Sequence, residues 1–234
     1  MNYKELLKSE LLPAFGCTEP IALAFVASKV REVLGEIPEH IEISCSGNMI
    51  KNAKSVIVPG AGGKKGIEIS CALGVLAGNP KKELEVLTDT TPKDIERATE
   101  MIQNGYCTIK LVPDVENLYI AIKGTKEDSY ATVIVEGKHT NIIHIEKDHD
   151  ILLHKEKSFQ ELTYSSFSFD EIYDFAQECD YEDIKPILDL QISYNKAIAE
   201  EGIKHSYGAN IGKLILEVSD NIEEKARAYA AAGS

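Results

Sequence analysis

The chain has 234 residues, of which 44% are hydrophobic and 27% charged. That length and apolar content suit one large or two small globular domains with a real core, and they exclude a disordered or collagen-like chain. Twenty-five basic side chains against 38 acidic ones leave a formal charge of −13, which repels phosphate backbones, so nucleic-acid binding is not expected.

No apolar run reaches the roughly 18 residues that cross a bilayer. The start, Met1-Asn2-Tyr3-Lys4-Glu5, leads into no long apolar stretch, so no secretory signal and no membrane partner are expected. The five cysteines (Cys17, Cys45, Cys71, Cys107, Cys179) are odd in number and widely spaced. A disulfide framework favours an even, dense set, so the expected compartment is the reducing cytoplasm.

In chain order, residues 3–12 place Leu and charge at helical spacing and stop at Pro13. Gly16-Cys17-Thr18-Glu19-Pro20 opens a second helix through Leu34, with Thr18 as the expected N-cap and Pro20 tolerated in the first turn. Residues 40–45 alternate as a strand, and Ser46-Gly47-Asn48 ends it. A glycine-rich loop, Gly60 to Gly66, leads to a small-residue helix from Ile67 to Ala77. An amphipathic helix is expected over Pro92 to Gln103, capped by Thr90 or Thr91.

From Tyr106 the period changes from 3.6 to 2. Cys107–Val112, Leu118–Lys123, Tyr130–Val135 and Asn141–Glu146 read as strands with short links, which predicts an antiparallel meander. Residues 147–168 read as a loop. Asp170–Cys179, Ile184–Ala199, Ala209–Val218 and Ile222–Ala232 read as helices. The expected fold is α+β, with helices flanking a small, mainly antiparallel sheet. Residues 1–150 form one expected domain. Residues 151–234 form a helical segment continuing into a missing C-terminal half.

Cys17 stands at the start of a helix, where the dipole and free N–H groups would stabilise a thiolate and could hold a ligand carboxylate. A small buried cysteine in a turn is the alternative. Ser46, Gly47 and Asn48, followed by Lys51 and Asn52, gather polar donors after the first strand, either for a carboxylate or as plain turn chemistry. His139, Thr140 and Asn141 could converge on a ligand at a strand start, or be exposed turn residues.

The loop Gly60 to Gly66 has neither the glycine spacing nor the hydroxyl of a P-loop and reads as a hinge or backbone-approach site. His139, His144, His149 and His154 recur every five residues, so they alternate faces while a strand continues. With no His-Glu-x-x-His and no Cys-x-x-Cys, no metal site is expected in this chain.

The ordered series Gly16-Cys17-Thr18-Glu19-Pro20, Ser46 to Asn52, Val58-Pro59-Gly60, Leu73-Gly74, Gly78-Asn79, Gly137 to Ile142, Gly212 to Ile215 and Lys225 to Ser234 resembles the L-cysteine desulfidase family, relatives of the iron–sulfur L-serine dehydratases. The resemblance implies a carbon–sulfur lyase that converts L-cysteine by β-elimination to hydrogen sulfide, ammonia and pyruvate. It implies Cys17 as the catalytic base and Thr18, Glu19, Ser46, Gly47, Asn48, Lys51, His139, Thr140 and Asn141 as substrate-binding residues.

The resemblance also implies a [4Fe–4S] cluster whose ligands lie beyond Ser234. This chain is then the N-terminal part of such an enzyme, inactive alone, with a small amino-acid substrate and a missing C-terminal half or an oligomer partner. The alternatives are an L-serine dehydratase-like fragment and a non-catalytic amino-acid-binding or interaction domain.

Overall fold

The Leu-and-charge pattern at the start forms helix α1 (Tyr3–Glu10) in a computed structural model that describes residues 3–14, 16–156, 168–218 and 221–233. The chain divides into two compact units. One is Pro13–Glu161; the other joins Met1–Leu12 to Leu162–Ser234. Helix α1 therefore groups with the C-terminal helices.

In the unit Pro13–Glu161, the apolar run after Pro20 forms α2 (Thr18–Leu34), whose first half is buried on nearly every side. Strand β1 (His40–Cys45) follows, then a short helix α3 (Gly47–Ala53) where the sequence showed a turn. Helices α4 (Ile67–Ala77) and α5 (Pro92–Gln103) flank a 3-10 turn at Pro80–Glu85. Five more strands complete the unit: β2 (Cys107–Leu111), β3 (Tyr119–Lys126), β4 (Ser129–Glu136), β5 (Ile142–Lys147) and β6 (Asp150–His154).

The sheet order is β2-β1-β3-β4-β5-β6. Strands β1 and β2 run parallel, and the remaining neighbours are antiparallel. The protein is α+β, as the sequence predicts. The predicted meander needs correcting at both ends. Its first strand, β2, pairs in parallel with β1, which inserts between β2 and β3, and the expected loop after 147 contains β6. The missed hairpin turns at Asp148 and His149, both at positive φ, without the Asn-Gly or Asp-Gly pair that marks such turns. The Asp148 carboxylate supports the turn by accepting from Ser129 Oγ and the Tyr130 N–H, each at 2.8 Å.

One face of the sheet is closed by helix. Ile43, Ile122 and Val133 lie in one cross-strand row and are fully buried. Helix α2 covers β3 and β4 so closely that a Cβ at Gly124 would stand 2.6 Å from Val30 Cγ1. Helix α4 lies against α2 with Gly74 on the Ala24 backbone. Full burial of an Ile or Val side chain is worth roughly 1.5–3 kcal/mol, so this layer is the main source of the unit's stability.

The other unit contains α1 with α6 (Phe169–Glu178), α7 (Tyr181–Lys204), α8 (Ile211–Val218) and α9 (Ile222–Ala232). Helix α7 is longer than expected at both ends. Asp180 is its N-cap and accepts from the Glu182 N–H at 3.1 Å. Tyr3 packs against Phe175 with ring centroids 5.1 Å apart, and Lys4 pairs with Asp183. Gly202 on α7 and Gly212 on α8 admit the small-residue helix α9 to close approach.

Candidate functional site

The loop before α2 places the most informative thiol. Gly16 has φ +125, and a Cβ there would stand 2.7 Å from Pro59 Cγ. The Cys17 loop is thus pressed on the Pro59 ring, just before the glycine-rich loop Gly60 to Gly66. Cys17 is the N-cap residue, with φ −58 and ψ 122, and Thr18 is the first helical residue rather than the cap.

Cys17 Sγ donates to Glu19 Oε2 at 3.3 Å, and Thr18 Oγ1 donates to the same oxygen at 3.3 Å. Asn52 Nδ2, on α3, donates to Glu19 Oε1 at 3.2 Å. His139, half-buried in the turn between β4 and β5, lies close enough to Glu19 for their charges to interact. The sequence pattern could locate Thr18 and Glu19 beside Cys17. Asn52 reads in the sequence only as one of the polar donors after the first strand; its pairing with Glu19 depends on α3 forming and turning that side chain toward α2.

The charges follow from these contacts. Burial, then the hydrogen bond to Glu19, pushes the Cys17 thiol above its ordinary value, against a smaller opposing pull from the Glu19 N–H. Burial raises the Glu19 carboxyl, but its own N–H, the Cys17 thiol, the Asn52 amide and His139 together hold it below its ordinary value. Burial lowers His139, and the Glu19 charge only partly offsets this. The resting set at neutral pH is a thiol, a carboxylate and a neutral imidazole.

The expected resting thiolate at Cys17 is thus corrected. The Glu19 carboxylate occupies the helix start, takes the N–H that a ligand carboxylate was expected to use, and accepts the thiol's proton. With a carboxylate already at the helix start, the negative charge of the cluster suits a ligand cation better than an anion.

The other expected binding residues have separate places. Ser46 caps α3, accepting from the Met49 N–H at 3.2 Å and donating to the Asn117 carbonyl at 2.6 Å. Its hydroxyl serves the backbone. Gly47, Asn48 and Lys51 lie exposed on α3. Asn141 donates to the Glu136 carbonyl at 3.0 Å and accepts from Lys155 Nζ at 3.2 Å, which fixes the β4–β5 turn. Thr140 is half-buried in that turn and accepts from the Ile142 N–H through its carbonyl.

The histidines do not follow one continuous strand. The β5–β6 hairpin sets His144 opposite His154, with their Nδ1 atoms 3.4 Å apart, while His149 turns its ring edge to Tyr130. Among the described residues, no group of three or more His, Cys, Asp or Glu side chains is arranged to hold a metal ion. The thiols do not fit a [4Fe–4S] cluster either. Cys45 and Cys71 are sealed in the core, Cys17 is engaged with Glu19, and Cys179 belongs to the other unit. Burial pushes Cys45 and Cys107 up to about 12.

No family model matches the chain, and no solved structure matches it. The chain is similar to UPF0597 proteins. That of Lachnoclostridium phytofermentans is 42% identical over 234 residues, covering 98% of this chain and 56% of the relative. That of Finegoldia magna is 43% identical over 238 residues, covering 100% of this chain and 57% of the relative. That of Desulfitobacterium hafniense is 39% identical over 238 residues, covering 100% and 55%.

The chain thus spans about half the length of the curated relatives it matches. These relatives carry the UPF0597 name, which states no activity, and neither a cysteine desulfidase nor a serine dehydratase stands among them. That finding overturns the resemblance to the L-cysteine desulfidase family. The β-elimination of L-cysteine, its serine dehydratase alternative, and the lyase and iron–sulfur terms fall with it. Among the described residues no helix is long and apolar enough to cross a membrane.

Proposed function

We propose that the unit Pro13–Glu161 carries the acid–base centre of an enzyme that acts on a small, amine-bearing metabolite in a reducing, cytoplasmic compartment. The observation that supports this is the Cys17 thiol aimed at Glu19 Oε2 at 3.3 Å, with Asn52 on the other oxygen. Glu19 is the anion that a substrate ammonium would approach. Cys17 is the proton carrier. A cation beside the pair stabilises the thiolate relative to the thiol, so substrate binding itself would prepare Cys17 to take or give a proton. Neutral His139 is a nearby proton acceptor, and Asn52 holds the carboxylate in orientation.

The test is site-resolved alkylation by iodoacetamide across pH, read by mass spectrometry. Cys17 is expected to reach half its maximal rate above the ordinary thiol value of 9.0. Glu19→Gln removes the negative charge and is expected to move that midpoint down. A small amine or amino acid that binds is expected to do the same in the unsubstituted chain. A Cys17 midpoint at or below 9.0 that ignores Glu19→Gln would overturn the reading.

A further inference from the structure

Among its described residues, the helical unit buries almost nothing large. Within α1 and α6 to α9, the buried residues are Ala199, Gly212 and Ala228. Yet its helices carry apolar stripes at the spacing that normally faces a core. On α7, Leu190, Tyr194 and Ile198 recur at i, i+4 and i+8, and all three are exposed. On α8, Ile211, Leu214 and Val218 recur at i, i+3 and i+7, also exposed, with Val218 at 83%. Single exposed apolar residues are ordinary, but an exposed apolar stripe at core spacing on each of two helices of one unit marks interaction surface.

We infer that these stripes dock a further polypeptide segment, of the kind that makes up the rest of the longer UPF0597 relatives. Two observations choose this occupant. In the Lachnoclostridium phytofermentans relative the matched region is 56% of the protein, so its counterpart of this unit is covalently joined to nearly as much chain again. A second copy of this chain is the poorer candidate, because each copy brings a formal charge of −13 to the contact. The docked segment covers the exposed apolar side chains of these two helices. The inference does not depend on the Cys17 reading, which concerns the other unit.

The experiment co-expresses the full 234-residue chain with the remainder of the Lachnoclostridium phytofermentans protein, verifies by circular dichroism and a cooperative thermal melt that the remainder is folded, and measures mass by light scattering after gel filtration. A one-to-one complex is expected. The double substitution Leu214→Asp, Val218→Asp is expected to weaken it at least about tenfold, since placing two charges in an apolar contact leaves them unpaired. Both positions are exposed, so the thermal melt of the chain alone and its Cys17 alkylation profile should not change. A chain that forms a dimer dissolved by the same substitutions would assign the surface to a second copy. A chain that stays monomeric and takes up no remainder, or a complex indifferent to the substitutions, would also overturn the inference.

Discussion

A thiol proton directed at a carboxylate fixes the resting charge of the Cys17 cluster, and the pH response follows from it. Glu19 is held below its ordinary value, so its contribution to stability is present above that value and lost as pH falls through the folded one. His139 is a base held below its ordinary 6.5, so the folded state disfavours its charged form. Its contribution is complete above about pH 6.5 and lost as pH falls toward the folded value. The melting temperature should therefore decline below that pH, and His139→Asn should remove part of the decline; an unchanged profile in the variant would count against a buried neutral imidazole.

Gly16→Ala is the sharper test of position. It forces a side chain into φ +125 against Pro59, and a cost of about 1–3 kcal/mol in urea unfolding is expected, with an altered Cys17 alkylation rate. At this scale the sequence made Cys17, Glu19 and His139 legible, because a glycine before a helix start and a glycine before His139 mark backbone turns. It did not reveal the protonation state. Whether a helix start makes a thiolate depends on which anion reaches the N–H groups first, and only folding shows that Glu19 does.

Between elements, α2 and α4 approach each other closely. A Cβ on Gly74 would lie 2.2 Å from the Ala24 carbonyl oxygen, and backbone cannot yield as a flexible side chain does. Gly74→Ala should therefore separate the helices and cost about 3 kcal/mol, read as a lower urea midpoint. Thr91→Ala probes a more local device. Thr91 accepts from the Asp94 N–H while Asp94 accepts from the Thr91 N–H, a reciprocal cap on α5 whose loss should cost about 1 kcal/mol without disturbing the sheet.

Helices α2, α4 and α5 of the unit Pro13–Glu161 were legible because periodicity and caps are local, whereas the short α3 read as a turn. The sheet order was not. Pairing β1 with β2 in parallel requires the chain from α3 to α5 to cross between them, and no short-range pattern encodes that register. Strand β6 was hidden for another reason: Ile151 and Leu152 on an outer strand are both exposed and do not alternate, so they lack the half-buried signature of a strand.

Over the whole molecule, the α+β class was readable from the change of period at Tyr106, whereas the assignment of α1 to the C-terminal helices was not. The contacts of Tyr3 and Lys4 with Phe175 and Asp183 span most of the chain, beyond any local signal. The two units also differ in what holds them. The unit Pro13–Glu161 has a dense core that contains Cys45 and Cys71. The helical unit has no buried thiol among its described residues.

Alkaline pH should separate the two. Cys45 and Cys107 are raised from 9.0 to about 12 by burial, so the folded state keeps protons that the unfolded chain releases. Their stabilising effect is whole below about pH 9 and shrinks as pH rises toward 12, by at most about 1.4 kcal/mol per pH unit for each thiol. Urea midpoints of the unit's sheet, followed by hydrogen exchange, should fall over that range. Cys45→Ala should lower the starting stability by leaving a small void and should flatten the fall. A wild-type chain equally stable from pH 9 to 11, or a Cys45→Ala chain with an unaltered slope, would mean that the buried thiols do not govern the alkaline limit.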